Sequence, residues 1–316
     1  MFTVLIPSFN DWDALRLLLP RIDRALADTG RVGTVLIVDD ASTEMLPSSW
    51  PDQIFRAIRA VEILHLRCNL GHQRAIALGL HHIHEFSDSQ AVIVMDGDGE
   101  DRAEDLPALL DEFERASQRD VVFAARAKRM ESLAFQCFYR IYQFLHRVLT
   151  GIEVRVGNFS VMPRAAVARV IASPDLWNHY AAAVYRAKIS RRLLPLPRGK
   201  RLTGTSKMNF VSLLMHGLSA MAVFSDQVSA RLLTASAGFS IVAVVGSLSG
   251  QLSRQTTGWL IVLMFQVLTF AILFAFLIAR ARSSAAFNLQ RDAPYFILGK
   301  TSIGKTSDVR DKVEVR

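Results

Sequence analysis

Cysteine is nearly missing from this chain. Two in 316 residues, Cys68 and Cys137, stand far apart in the sequence. That is too few for the disulfide framework of a small secreted fold, and in a reducing cytosol both are most simply free thiols. Acidic residues run out after the first 125 positions. Residues 1–125 carry 21 Asp/Glu against 11 Lys/Arg, net −10; residues 126–231 carry 4 against 17, net +13; residues 232–316 carry 4 against 9, net +5. An acidic start followed by a basic remainder is not the even mixture of a uniform soluble enzyme. The basic part suits phosphate groups or an anionic membrane surface. No nucleic-acid motif and no low-complexity segment is present, so nucleic acid is not expected as a partner. The opening MFTVLIP reads as a strand and is too short for the apolar core of a signal sequence, so residues 1–230 are expected to stay in the cytosol.

Charge itself is missing from two long stretches. Between Arg231 and Arg254 lie 22 uncharged residues, and between Arg254 and Arg280 lie 25 more. Each can cross about 30 Å of hydrocarbon as a helix. The second, GWLIVLMFQVLTFAILFAFLIA, is apolar all round. The first, LLTASAGFSIVAVVGSLSGQL, carries scattered Ser and Gly, as helices that pack within membranes often do; a buried helix of a soluble domain is its plainer reading. The pair reads as a hairpin turning near Arg254, with Arg280, Arg282 and Arg291 holding the far end on the cytosolic side.

Apolar strand-like runs (FTVLI, VGTVLIVDD, VEILHL, AVIVMD, DVVFAAR) alternate over the first 125 residues with the helical patterns WDALRLLLPRIDRAL, HQRAIALGLHHIHEF and EDLPALLDEFERAS. Such alternation argues an α/β fold with a mostly parallel sheet, whose ligands bind beyond the carboxyl ends of the strands. Polar residues gather at four of those ends: Pro7 to Asp11, Asp39 with Asp40, Asp96 to Asp101, and Arg126. Beyond them, ESLAFQCFYRIYQFLHRVL spaces aromatics near helical period with Arg140 and Arg147 between. It serves equally as a core helix or as an amphipathic helix at a membrane interface.

The run VIVMDGDGED crowds Asp96, Asp98, Glu100 and Asp101 together. Like charges so close need a cation or full hydration. Residues i and i+2 of an extended segment point the same way, so Asp96 and Asp98 can aim at one point. With a bound diphosphate they would make an oxygen site for Mg²⁺ or Mn²⁺. By itself D-G-D is also an ordinary turn sequence.

Taken in order, these segments resemble family 2 glycosyltransferases of the GT-A fold. They come nearest to polyprenyl-phosphate glycosyltransferases such as dolichyl-phosphate mannose synthase and the bacterial undecaprenyl-phosphate glucosyltransferases. LIPSFND is similar to that family's first strand and nucleotide loop, with Asp11 where Glu is usual. IVDDAST resembles its second strand and NLGHQRAIALGL the following loop and helix. VMDGDGEDRAED resembles its D-x-D-x-Q-(D or H)-P-P-E stretch, with Glu100 for Gln and with Arg102 and Ala103 in place of two prolines. RLTGTSKM resembles its R-x-x-G-x-S-K motif ahead of a membrane hairpin, and RDAPYFILGK the short segment that follows the hairpin. Asn158 in GNFSVMPR stands where many relatives carry Asp.

The resemblance implies roles. Asp96, Asp98 and Glu100 would hold Mg²⁺ or Mn²⁺ on the diphosphate of a UDP- or GDP-linked sugar, and Pro7, Asn10, Asp11, Asp39, Asp40, Gln73 and Asp96 would line the nucleotide. Arg126, Arg140, Arg201, Ser206 and Lys207 would bind the phosphate of a polyprenyl phosphate acceptor, with Asp98, Arg126, Arg201 and Lys207 serving the transfer directly. The expected layout is a cytosolic catalytic domain (1–208), a juxtamembrane helix (209–231), a transmembrane hairpin (232–280) and a cytosolic tail (281–316), set in the inner membrane. A homo-oligomer is compatible with the sequence and not required by it. A processive polysaccharide synthase is the rival enzyme, but QCFYRI at residues 136–141 does not match the Q-x-x-R-W motif of that group. A non-catalytic membrane protein keeping the fold is the rival of another class, and the intact D-x-D stands against it.

Overall fold

The structure is a computed structural model that describes residues 1–47, 50, 54–126, 133–152, 156–204, 210–249, 256–284 and 288–303. It divides into two compact units.

The first unit is built on eight strands in the order β7-β5-β6-β4-β1-β2-β3-β8. These are β1 (Phe2–Ser8), β2 (Gly33–Asp39), β3 (Ile58–Leu66), β4 (Ala91–Val94), β5 (Val121–Arg126), β6 (Val156–Pro163), β7 (Arg191–Leu196) and β8 (Ile297–Ile303). Pairings β1–β2, β1–β4, β2–β3 and β5–β7 are parallel; β4–β6, β5–β6 and β3–β8 are antiparallel. The expected α/β class therefore holds as a mixed sheet. Helices α1 (Trp12–Ala27), α2 (His72–Phe86), α3 (Leu106–Arg115), α5 (Arg164–Ile171), α6 (Tyr180–Arg186) and α10 (Leu289–Phe296) belong to the same unit.

Alternation along the buried strands assigns the two faces. Val4, Ile6, Val35, Ile37, Ile63 and Ile93 form one core with Leu15, Leu18, Leu19 and Ile22 of α1 and Leu109, Leu110 and Phe113 of α3. Each fully buried Leu or Ile stabilises the fold by about 1.5–3 kcal/mol. Leu5 and Val38 point to the other face, under α2. That helix comes close because position 79 is glycine: a Cβ there would lie 2.3 Å from Leu5 Cδ1 and 2.8 Å from Val38 Cγ2. Since β1, β2 and β4 run parallel, Ser8, Asp39 and the turn after Val94 emerge at one edge of the sheet.

The second unit holds α4 (Leu133–Thr150), α7 (Phe210–Ala222), α8 (Ser225–Leu248) and α9 (Thr256–Ser284). Helices α8 and α9 contain the stretches Ser225–Gly246 and Gly258–Leu277, long and apolar enough to cross a membrane. They are joined by a Gln266 amide that donates to Ser240 Oγ at 2.8 Å. Arg231 of α8 donates to the carbonyl of Val148 at 2.6 Å, a cation on the negative end of α4. Gly151 makes room for it, because a Cβ there would sit 2.6 Å from the guanidinium.

Three boundaries differ from the sequence expectation. Helix α4 lies in the second unit although it falls within residues 1–208. Within the expected helix 209–231, the described residues 210–231 do not form one helix: α7 ends at Ala222, buried Val223 and Phe224 make a corner, and α8 begins at Ser225. Part of the expected tail returns to the first unit as α10 and to its sheet as β8, with Val61 opposite Ile303 and Leu64 opposite Lys300. The turn near Arg254 lies outside the described residues.

Candidate active site at the carboxyl edge of the sheet

The acidic turn after β4 is organised by its own residues. Asp101, buried, accepts the backbone N–H of Asp96 at 2.9 Å, and Asp98 Oδ1 accepts that of Glu100 at 2.9 Å. A second segment lies against the turn. Gly199 N–H donates to the Glu100 carbonyl at 2.8 Å, and Leu202 N–H to the Asp98 carbonyl at 2.9 Å. The approach requires both glycines. A Cβ on Gly99 (φ +83°) would meet Leu202 Cγ at 2.4 Å, and one on Gly199 would meet the Gly99 carbonyl oxygen at 2.6 Å.

That contact brings two arginines onto the acids. Arg201 Nη1 donates to Asp98 Oδ2 at 2.9 Å, and Arg201 Nη2 lies 4.0 Å from Asp11 Oδ1. Arg198 pairs with Glu100. All four side chains of the two close pairs are only 14–18 % exposed, so these are not solvated surface ion pairs. Arg198 Nε and Arg201 Nε are buried without a hydrogen-bond partner among the described residues. Burial, then the neighbouring Asp96, raises the Asp98 pKa above its ordinary value despite Arg201 and Arg198.

On the other side of Asp96 a polar chain runs inward. The backbone N–H of Tyr180 donates to Gln73 Oε1 at 2.7 Å, Gln73 Nε2 donates to Asn158 Oδ1 at 3.2 Å, and Asn158 Nδ2 donates to Asp96 Oδ1 at 3.2 Å. Because a backbone N–H starts the chain, the orientation of both amides is fixed. His72, at the start of α2, places Nε2 3.1 Å from the same Asp96 oxygen. Burial disfavours its imidazolium, but Asp96, with Asp101 and Asp98 beyond, more than offsets this and raises its pKa.

The remaining acids at this edge organise loops. Asp40, at the end of β2, accepts the N–H groups of Leu70 and Gly71 at 2.7 and 2.8 Å and so shapes the turn into α2. Burial is the main force raising its pKa. Asp39 accepts from Ser42 N–H at 3.0 Å and pairs with His65 Nδ1 at 2.9 Å; burial acts against its charge, but His65 and Ser42 prevail and hold its pKa low. Asn10 (φ +51°) accepts from Thr43 and Glu44 N–H and donates to Thr43 Oγ1, tying the β1–α1 loop to the one after β2.

The structure therefore gathers Pro7, Asn10, Asp11, Asp39, Asp40, Gln73, Asp96, Asp98, Glu100 and Arg201 in one unit, at the edge chosen by the parallel strands. Arg140 is on α4, exposed, in the other unit. Arg126 ends β5 opposite Leu196, and its side chain lies outside the described residues, as do Ser206 and Lys207. Arg198 and His72 were not singled out by sequence, and Asp101 was noted there only as a member of the acidic run. Among cations, only proximity to a glycine distinguishes Arg198 from its neighbours, and nothing in its spacing pairs it with Glu100.

Oxygen donors of this kind suit a hard divalent ion. The residues fit such an ion, although among the described residues no three His, Cys, Asp or Glu side chains already converge as a ligand set.

A mixed sheet with an acidic turn and basic clasp at its carboxyl edge is a GT-A-like arrangement. The sequence model of glycosyl transferase family 2 matches residues 3–172, and the chain belongs to that family. It is 26% identical over 223 residues to the undecaprenyl-phosphate 4-deoxy-4-formamido-L-arabinose transferase of Klebsiella pneumoniae (strain 342), covering 67% of this chain and 64% of that protein. The Salmonella newport (strain SL254) protein of the same name is 26% identical over 217 residues with the same coverage. The match thus spans somewhat under two thirds of those relatives' length. A mycobacterial protein of known crystal structure superposes with a TM-score of 0.51 at 12% identity, covering 72% of this chain and 74% of that one, a likeness of fold.

Proposed function

We propose that this protein is a membrane-attached glycosyltransferase that moves a sugar from a nucleotide diphosphate donor to a polyprenyl phosphate. The observation that carries the reading is the arginine clasp. Two buried guanidiniums with unpartnered Nε donors lie on the acidic turn, and their segment leads in sequence toward the membrane-length helices. The names of the bacterial relatives supply the acceptor class.

In this reading the nucleotide of a UDP- or GDP-linked sugar sits over Pro7, Asn10, Asp11, Asp39 and Asp40. Asp96 and Asp98, with Glu100, hold Mg²⁺ or Mn²⁺, which when bound offsets charge on the leaving diphosphate. Arg201 binds the acceptor phosphate with Arg126, Ser206 and Lys207. A phosphate monoester carries roughly −1.5 to −2 charge near neutral pH, so its oxygen is already a nucleophile and needs no strong base. The side chain beside Asp96 is accordingly an amide, Asn158, rather than an acid. Attack on the anomeric carbon opposite the departing diphosphate inverts that centre. The α8–α9 hairpin spans the inner membrane, with the first unit on the cytosolic face.

The test is purified protein in detergent with undecaprenyl phosphate, Mg²⁺ or Mn²⁺, and a panel of UDP- and GDP-sugars, the lipid products read by mass spectrometry. One donor should give a lipid-linked sugar, and Asp98→Ala or a chelator should remove most of it. No product from any donor would sink the proposal. Full activity of Asp98→Ala in saturating chelator would sink its metal part.

A further inference from the structure

Strand β8 reaches the candidate donor site through a side-chain relay. Thr301 Oγ1 lies 3.1 Å from His65 Nε2, and His65 Nδ1 lies 2.9 Å from Asp39 Oδ2. The other Asp39 oxygen accepts the N–H of Ser42, whose hydroxyl accepts the backbone N–H of Asn10 at 2.9 Å. Thr301 follows the membrane-length helices in sequence, whereas Asp39 and Asn10 belong to the first two strand-end loops. Asp39 is buried and ionised, so it accepts from His65 Nδ1, and His65 Nε2 is left within hydrogen-bond distance of the Thr301 hydroxyl. Each link fixes the next, and the last fixes the loop over which the nucleotide would lie.

We infer that His65 and Thr301 are positioning residues for donor nucleotide binding, and that β8 is a working part of the donor site rather than a tail. This rests on the reading that the Asp39–Asn10 edge binds the donor nucleotide. A partner that orients a ligand-contacting group commonly changes affinity by about tenfold or more when removed. Loss of His65 would free the Asp39 carboxylate to turn, and Ser42 and Asn10 with it.

The test is calorimetric binding of UDP and GDP to the full chain in detergent with Mn²⁺, alongside thermal melting. His65→Ala should weaken binding of the preferred nucleotide by about tenfold, and Thr301→Val, nearly the same shape, by about threefold. His65→Asn, which keeps a donor near the Nδ1 position, and Thr301→Ser, which keeps the hydroxyl, should recover most of the affinity. Lys300→Ala removes the 3.0 Å ion pair of β8 with Glu62 and controls for simple loosening of the strand; its affinity should stay within about twofold of wild type. Unchanged affinity in both His65→Ala and Thr301→Val would overturn the inference, and so would an equal loss in Lys300→Ala. Should His65→Ala not fold, the Thr301 pair decides alone. Wild-type protein that binds neither nucleotide would overturn the donor-site reading together with this one, whereas wild-type binding that the variants leave untouched would overturn this one only.

Discussion

Replacing Gly199 with alanine perturbs the clasp without touching a charge. The added Cβ would lie 2.6 Å from the Gly99 carbonyl oxygen, 2.9 Å from Arg102 Cγ and 3.3 Å from the Glu100 carbonyl oxygen. The arginine stem can swing aside, but the carbonyl belongs to a turn fixed by the Asp96–Asp101 and Glu100–Asp98 hydrogen bonds. Nor can Gly99 retreat easily, since Leu202 fills the space beside it. The segment must therefore move off by about 0.8 Å to reach ordinary contact, and overpacking of this kind costs about 1–3 kcal/mol. The Gly199 N–H bond to Glu100 adds about 1 kcal/mol when it breaks. If about 2 kcal/mol of this falls on the clasp, transfer slows by about thirtyfold. Initial rates with saturating acceptor, read beside a thermal melt, check it: the rate should drop at least tenfold while the melting midpoint falls only a few degrees. Gly238→Ala, on α8 with open space around its Cβ, should leave both nearly unchanged. A Gly199→Ala protein with wild-type rates would refute the argument that this apposition organises the site.

Acid should destabilise the first unit through His82. Burial, helped by Lys300, lowers its pKa from 6.5 to about 4, and neither ring nitrogen has a hydrogen-bond partner among the described residues. A lowered histidine contributes stability above its unfolded pKa that is lost as pH falls toward the folded value, here at most about 3 kcal/mol. Melting midpoints should therefore drop between pH 7 and pH 4, and less steeply in His82→Leu; parallel slopes would exclude this histidine as the cause. Asp23 accepts the N–H groups of Arg56, Ala57 and Ile58 at 2.7–3.0 Å, so Asp23→Ala should cost about 3 kcal/mol, visible as a lower denaturant midpoint with an unchanged slope. Thr306→Cys should resist an impermeant thiol reagent in intact cells, since the proposed hairpin returns the chain to the cytosol; labelling there would invert the topology. Lys207→Ala should raise the KM for polyprenyl phosphate even in neutral detergent while donor KM holds, an outcome that distinguishes a phosphate ligand from a cation that merely attracts anionic lipid.

Much of the fold was legible because its signals are local. The run His72–Phe86 is helical at the bounds its apolar period suggested, and β1, β2, β4 and β5 are uninterrupted apolar runs ending in polar residues. Strand β8 was not legible: ILGKTSI half-buries alternate residues at a sheet edge, and its partner β3 lies more than 230 positions away. The corner at Val223–Phe224 was hidden for a different reason. It contains neither Gly nor Pro, and tertiary burial makes the break. At the site, the positions of the acids followed from strand order, since β1, β2 and β4 share one carboxyl edge. Their partners did not, because Arg198 and Arg201 reach the turn only through a backbone apposition almost a hundred residues apart in sequence.

That apposition adds to what balances the acidic turn. The sequence suggested a metal and its anionic ligand as the balancing charge, and the folded chain adds side-chain cations to it. Five carboxylates (Asp11, Asp96, Asp98, Glu100 and Asp101) meet Arg198, Arg201 and the His72 imidazole. The balance is incomplete by count, since the acids outnumber the cations that meet them. An incomplete balance has a use under the proposed function. Had the arginines neutralised the acids fully, a divalent ion would have to displace them against a full Coulomb loss; had the acids stood alone, their repulsion would open the turn. With charge left over, the acids would hold a divalent ion without first losing both arginines. Under the proposed function an arginine would then exchange a carboxylate for a phosphate, one oxyanion for another at similar desolvation. The same guanidinium would serve both the turn and the acceptor. On this argument Arg201→Lys should lose more activity than stability, because an ammonium can neutralise Asp98 but cannot offer two directed donors at once. An Arg201→Lys protein with wild-type turnover and a lowered melting point would reverse that assignment.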